Sequence, residues 1–100
     1  MKKIINNKLY DTARAKIIFR FRRKLQGKTC WFNKKYAFFY WTEAQIYVTI
    51  KGNYFCHYDA FSNYDEFIEA ATICDVKEII KQLDPDRFIE LFGTGEIEKA

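Results

Sequence analysis

Between residues 29 and 59 the chain is made almost entirely of strand-forming segments joined by very short links. Cys30-Trp31-Phe32 and Tyr36-Ala37-Phe38-Phe39-Tyr40-Trp41 are separated only by Asn33-Lys34-Lys35. Ile46-Tyr47-Val48-Thr49-Ile50 alternates, Lys51-Gly52-Asn53 signals a turn, and Tyr54-Phe55-Cys56-His57-Tyr58 returns. Parallel neighbours need a crossover of about a dozen residues or more, which these links do not supply. The stretch therefore predicts an antiparallel β-meander.

The N-terminal flank reads as a small hairpin. Ile4-Ile5 and Leu9-Tyr10 enclose Asn6-Asn7-Lys8, and Asn tolerates the left-handed backbone of a tight turn. Asp11 or Thr12 offers an N-cap for Ala13-Arg14-Ala15-Lys16. Residues 16–25 fit two templates. Ile17, Phe19 and Phe21 alternate with Arg20, Arg22 and Lys24 as in a strand. Ile18, Phe21 and Leu25, with Gly27 as a cap, fit a helix. The reading taken is a short helix running into a strand. Arg20 and Lys24 share a face under either template.

The last third is helical. Glu66–Ala71 fits either an edge strand or a helical turn. Thr72 and Asp75 resemble a capping box, and Val76, Ile79, Ile80 and Leu83 form an apolar stripe. Asp84-Pro85 starts a second helix with Phe88, Ile89, Leu91 and Phe92 on its apolar face and Gly93 at its end. The expected fold class is α+β: an antiparallel β-meander of about four to five strands with two short C-terminal helices packed on one face. The other face is left to solvent. Ile46, Val48 and Ile50 are expected to point to the helices. One hundred residues suit a single domain spanning 1–100, with 94–100 as a frayed tail.

Charge is split along the chain. Residues 1–51 hold 13 Lys and Arg against Asp11 and Glu43, a net of +11, whereas residues 52–100 net −7. Such polarity bears on partners and association rather than on fold. With 49% hydrophobic residues the chain lies outside the disordered class. No apolar run approaches the ~18 residues of a membrane helix, and the first seven residues lack an apolar signal core. The expectation is a cytoplasmic protein with no membrane partner.

Catalytic chemistry finds little support. Three cysteines, Cys30, Cys56 and Cys74, are odd in number and far apart, and read as free thiols. His57 is the one histidine, and it neighbours Cys56 in a strand, where adjacent side chains point to opposite faces. A Cys/His nucleophile pair or a zinc site needs converging side chains. Glu66, Glu69 and Lys77 would suit a metal nuclease only if folding brought them together. No P-loop or dinucleotide glycine pattern is present. The expectation is a non-enzymatic protein with no catalytic residue, cofactor or metal.

The basic stretch carries more content. Arg20, Arg22, Arg23, Lys24, Lys28, Lys34 and Lys35 are interleaved with Phe21, Trp31, Phe32 and Tyr36. Arg and Lys neutralise phosphates while aromatics stack on bases, a combination suited to nucleic acid. The bland alternative is a solvated sheet face over core aromatics. Arg20, Arg22, Arg23, Lys24, Lys34 and Lys35 are the candidate partner- or nucleic-acid-binding residues. Asp59, Asp65, Glu66, Glu69, Asp75 and Glu78 form a second candidate surface, one that mimics nucleic acid towards a protein, or else a solvated face.

Three segments also carry a resemblance: Lys8-Leu9-Tyr10-Asp11-Thr12 with Ala13 and Ala15; Ile46 through Phe55; and Leu83 through Gly93. They resemble small proteins of phages, plasmids and conjugative elements with a YDT…A opening, a Y-x-T-x-x-G-x-[YF]-F hairpin and a D-P-D-x-[FY]-x-E-L-F-G ending. The shared motifs are a cap, a turn and a helix pair. The resemblance implies an accessory mobile-element protein working in the bacterial host cytoplasm. It favours an antagonist of host defence of the anti-CRISPR kind, whose partner is a bacterial defence protein such as a CRISPR-Cas effector. The alternative is a small nucleic-acid-binding module using the Arg20–Lys35 surface.

Overall fold

Asn6 and Asn7 both adopt left-handed backbone, with φ of 50° and 62°, and so close a two-residue turn between β1 (Lys2–Ile5) and β2 (Lys8–Asp11). This computed structural model describes residues 1–31, 34–61, 64–95 and 97, with the backbone alone for 27–31 and 34–38. The expected helix at residues 13–16 does not form. Asp11 Oδ1 instead accepts from the Ala13 N–H at 3.0 Å, an Asx-type turn that leads straight into a strand.

That strand, β3 (Lys16–Trp31), corrects the expectation of a short helix in residues 16–25. A register shift between Ile17 and Phe19 explains the helix-like spacing. The bulge turns Ile18 inward ahead of Phe19, Phe21 and Leu25, so all four meet the same apolar cluster. β3 pairs antiparallel with β4 (Lys34–Val48), which fuses two strands anticipated separately. β5 (Tyr54–Tyr58) pairs with residues 44–48 of β4, and β6 (Phe67–Ala71) pairs with β5. The sheet order β3-β4-β5-β6 is the expected meander, and residues 67–71 resolve as an edge strand.

The helices form where their caps predict. In α1 (Ile73–Leu83) the Thr72 hydroxyl accepts from the Asp75 N–H at 3.1 Å, and the Asp75 carboxylate accepts from the Thr72 N–H at 3.3 Å. In α2 (Pro85–Phe92) Asp84 caps the Arg87 N–H at 3.1 Å, with Pro85 at the first position. The Arg87 guanidinium also donates twice to the Ile18 carbonyl, at 3.3 and 3.2 Å, tying α2 to the bulge of β3.

Ile18, Ala44, Ile46, Cys56 and Tyr58 meet Val76, Ile80 and Phe88 in the core between sheet and helices. Ile46 and Val48 face the helices as expected, but Ile50 lies in the β4–β5 turn and is 95% exposed. The opposite sheet face is not left wholly to solvent. The β1–β2 hairpin folds over part of it, burying Tyr10 with Phe55 and Ile68, while Tyr47 stacks on Phe55 at 5.0 Å.

Because β5 pairs only up to Ala44, the rest of β3 and β4 continues beyond the sheet as a two-stranded ribbon. It stretches the molecule to 54 Å and raises the radius of gyration to 16.1 Å. A compact chain of this length has about 13 Å. This ribbon carries the basic stretch from Arg22 onward.

Candidate nucleic-acid interface

Strand alternation divides the candidate residues. Arg20, in the four-stranded part of the sheet opposite Gln45, and Arg22 and Lys24, on the ribbon, are exposed on one face of β3. Arg23 falls on the other, where it is partly buried, donates to the Tyr58 hydroxyl and sits 5.4 Å from the Tyr58 ring centroid. It shares a groove of about 320 Å³ with Cys56, Glu69, Asp75 and Glu78. Arg23 is thus spent within the fold, and the four-base run is not one surface. Lys34 and Lys35 stand opposite Trp31 and Cys30 in the ribbon, and their side chains lie outside the described residues. The same holds for Lys28, Trp31 and Tyr36, and Phe32 is undescribed altogether. Phe21 packs on the helix side.

The sequence reading missed two aromatics on the exposed face. Trp41 is 53% exposed and Phe39 63% exposed, and they stand opposite Lys24 and Gln26 respectively. The signal for them was parity: with Ile46 and Ala44 facing the helices, positions 41 and 39 must face away. Their rings are partly covered by cations. The Arg22 guanidinium lies 5.8 Å from the Trp41 ring centroid, and Lys24 Nζ lies 4.7 Å from that of Phe39. Arg22 also pairs with Glu43 at 3.4 Å, both side chains being more than 60% exposed, so the pair contributes little stability. Cations along β3 also guard an open sheet edge against strand pairing.

A second polar constellation adjoins this face. His57, 8% exposed, has Nδ1 2.6 Å from Gln45 Oε1 and Nε2 2.7 Å from Glu66 Oε2. Gln45 Nε2 donates to Asp59 Oδ1 at 3.3 Å, which leaves its Oε1 as the acceptor facing the ring. Both ring nitrogens are occupied within the protein. Cys56 lies on the opposite sheet face, in the helix-side core, so the adjacent Cys and His do not meet. Among the described residues no three His, Cys, Asp or Glu side chains converge to hold a metal ion. No helix among them is long and apolar enough to cross a membrane.

The buried thiol and phenol of β5 have a measurable consequence. Burial pushes the Cys56 thiol above its ordinary 9.0 and the Tyr58 hydroxyl above its ordinary 10.0. Both groups stay neutral in the fold at a pH where the unfolded chain ionises. Their contribution is therefore fully present below about pH 9 and is lost as pH rises through the folded-state values. We expect unfolding free energy to fall steadily on the alkaline side. In the native protein Cys74, which is exposed, reacts with a thiol reagent at neutral pH while Cys56 reacts only on unfolding. Labelling followed by peptide mapping checks this, and fast native labelling of Cys56 would contradict the assigned burial.

No protein-family model, curated protein or solved structure matches the chain.

Proposed function

We propose that the protein is a non-enzymatic nucleic-acid-binding module and that the open face of the β3–β4 ribbon is its contact surface. The observation that carries this reading is the alignment of Arg20, Arg22 and Lys24 on one exposed face with Trp41 and Phe39. Cations contribute affinity by releasing counterions from phosphates, and exposed rings stack on bases. A purely solvating face has no use for two large exposed aromatics.

The test is fluorescence polarisation with labelled oligonucleotides over a salt series. Three phosphate contacts give a slope of log K against log salt of about −2. Arg20→Glu with Lys24→Glu is expected to weaken binding by roughly 50-fold and flatten that slope. Both side chains are exposed, so thermal unfolding stays near wild type. Undiminished binding by the folded double variant overturns the assignment.

A second reading follows the mobile-element resemblance: stoichiometric inhibition of a CRISPR-Cas effector. It is favoured by the exposed acids on the helices, Asp75, Glu78, Asp86 and Glu90. Such effectors hold nucleic acid in a positively charged channel, which an acidic surface can occupy. Inhibition by binding saturates at a fixed ratio. A titration read at several incubation times separates this from catalysis, which deepens with time below one equivalent.

A further inference from the structure

We infer that the ribbon face takes single-stranded rather than double-stranded nucleic acid, its phosphates running along β3 and its unpaired bases along β4. This rests on the nucleic-acid reading above and specifies its ligand. Among the described side chains the chemistry of the face is divided by strand. The exposed cations Arg20, Arg22 and Lys24 all come from β3, whereas the exposed rings Phe39 and Trp41 both come from β4. Neighbouring strands lie ~4.8 Å apart, so a strand of nucleic acid laid along the ribbon can set its backbone over β3 and its bases over β4. Among the described residues of the two strands, the acid on this face, Glu43, also belongs to β4, off the line of the cations.

Spacing points the same way. Alternate residues on one strand face recur every ~6.8 Å, so Trp41 and Phe39 offer two successive platforms to an extended strand with unstacked bases. Sheet aromatics stack two or three bases in this manner in a common RNA-binding module. A duplex presents only base edges and leaves both rings without a stacking partner. A two-stranded ribbon does fit a major groove, but it reads edges with polar side chains, and here two outward positions are aromatic.

The free protein already holds the exchange partners in place. Arg22 and Lys24 lie over the rings of Trp41 and Phe39. A phosphate draws these cations towards β3 and uncovers the ring faces for bases. Each group thus covers a sticky surface until its ligand arrives.

The experiment compares a twelve-residue oligothymidylate with a mixed-sequence duplex of equal length, by fluorescence polarisation at several salt concentrations. We expect the single strand to bind at least tenfold more tightly. Trp41→Ala and Phe39→Ala should each weaken it by roughly 5- to 100-fold, the usual worth of one stacked base, without changing the salt slope. Trp41→Phe keeps a ring and should retain most of the affinity. Equal or tighter duplex binding, or alanine variants with unchanged affinity, overturns the single-strand assignment and leaves the nucleic-acid reading standing. Binding of neither probe at low salt overturns both.

Discussion

Replacing Phe88 with alanine lowers the unfolding free energy by about 3–5 kcal/mol, the range for truncating a large aromatic in a packed core. Phe88 is 1% exposed and is the buried residue of α2. Its ring meets Phe92 at 5.2 Å between centroids, and Lys81 Nζ lies 5.1 Å from its own centroid. Domains of this size hold ~5–15 kcal/mol in total, so the variant loses a large share. At about 4–8 °C per kcal/mol, the melting temperature falls by tens of degrees. Phe92, only partly buried, should cost about half as much. The sequence pointed to Leu91 or Phe92 as the anchor, and the structure moves that role one turn earlier. Urea denaturation of both variants measures the difference. A loss below about 1 kcal/mol at Phe88 would mean that α2 does not hold the sheet, and the two-layer account would fail with it.

What the sequence disclosed was what local chemistry decides. Thr72 with Asp75 and Asp84 with Pro85 satisfy helix-end groups within three residues, so both helices were readable before any tertiary contact was known. Asn6-Asn7 and Gly52, at φ 82°, fixed two turns in the same way. Residues 16–25 misled because a single bulge shifts the phase, placing Ile18, Phe21 and Leu25 on one side of a strand as if on a helix. The basic cluster was visible as a count, but its division into Arg20, Arg22 and Lys24 against Arg23 depended on strand parity. Trp41 and Phe39 depended on something more distant. They are exposed because β5 stops pairing at Ala44 and, among the described residues, no element packs over this face of the ribbon beyond it. Where one strand outruns another is set by tertiary register, which local propensity does not encode. The cover that the β1–β2 hairpin gives Phe55 and Ile68 is likewise a contact between chain ends, with no local signature.

The second large effect is expected at His57. In the chain it looked like an ordinary strand residue, yet its ring spans Gln45 on β4 and Glu66 just before β6. Its bond to Glu66 closes the segment from Asp59 to Glu66 back onto the sheet. Phe61 and Tyr64 in that segment stack on Tyr40, at 4.9 and 5.2 Å between centroids. His57→Ala removes one neutral and one carboxylate-assisted bond from a site that is 8% exposed. Net values of ~0.5–1.5 and ~1.5–3 kcal/mol for such bonds bracket a combined loss of about 2–4.5 kcal/mol. We expect the lower part of that range, because the Glu66 side chain is 51% exposed and water replaces part of what it loses. Glu66→Gln keeps an oxygen acceptor and should cost under about 1 kcal/mol. A double-mutant cycle of His57→Ala with Glu66→Ala isolates the pair, and a coupling of about 1 kcal/mol or more is expected. Hydrogen exchange adds a local readout, since freeing the segment should strip protection from the Phe61 and Tyr64 amides, which bond each other's carbonyls at 3.0 and 2.8 Å. Coupling near zero with those amides still protected would show that the aromatic stack on Tyr40 holds the segment by itself and that His57 contributes only packing.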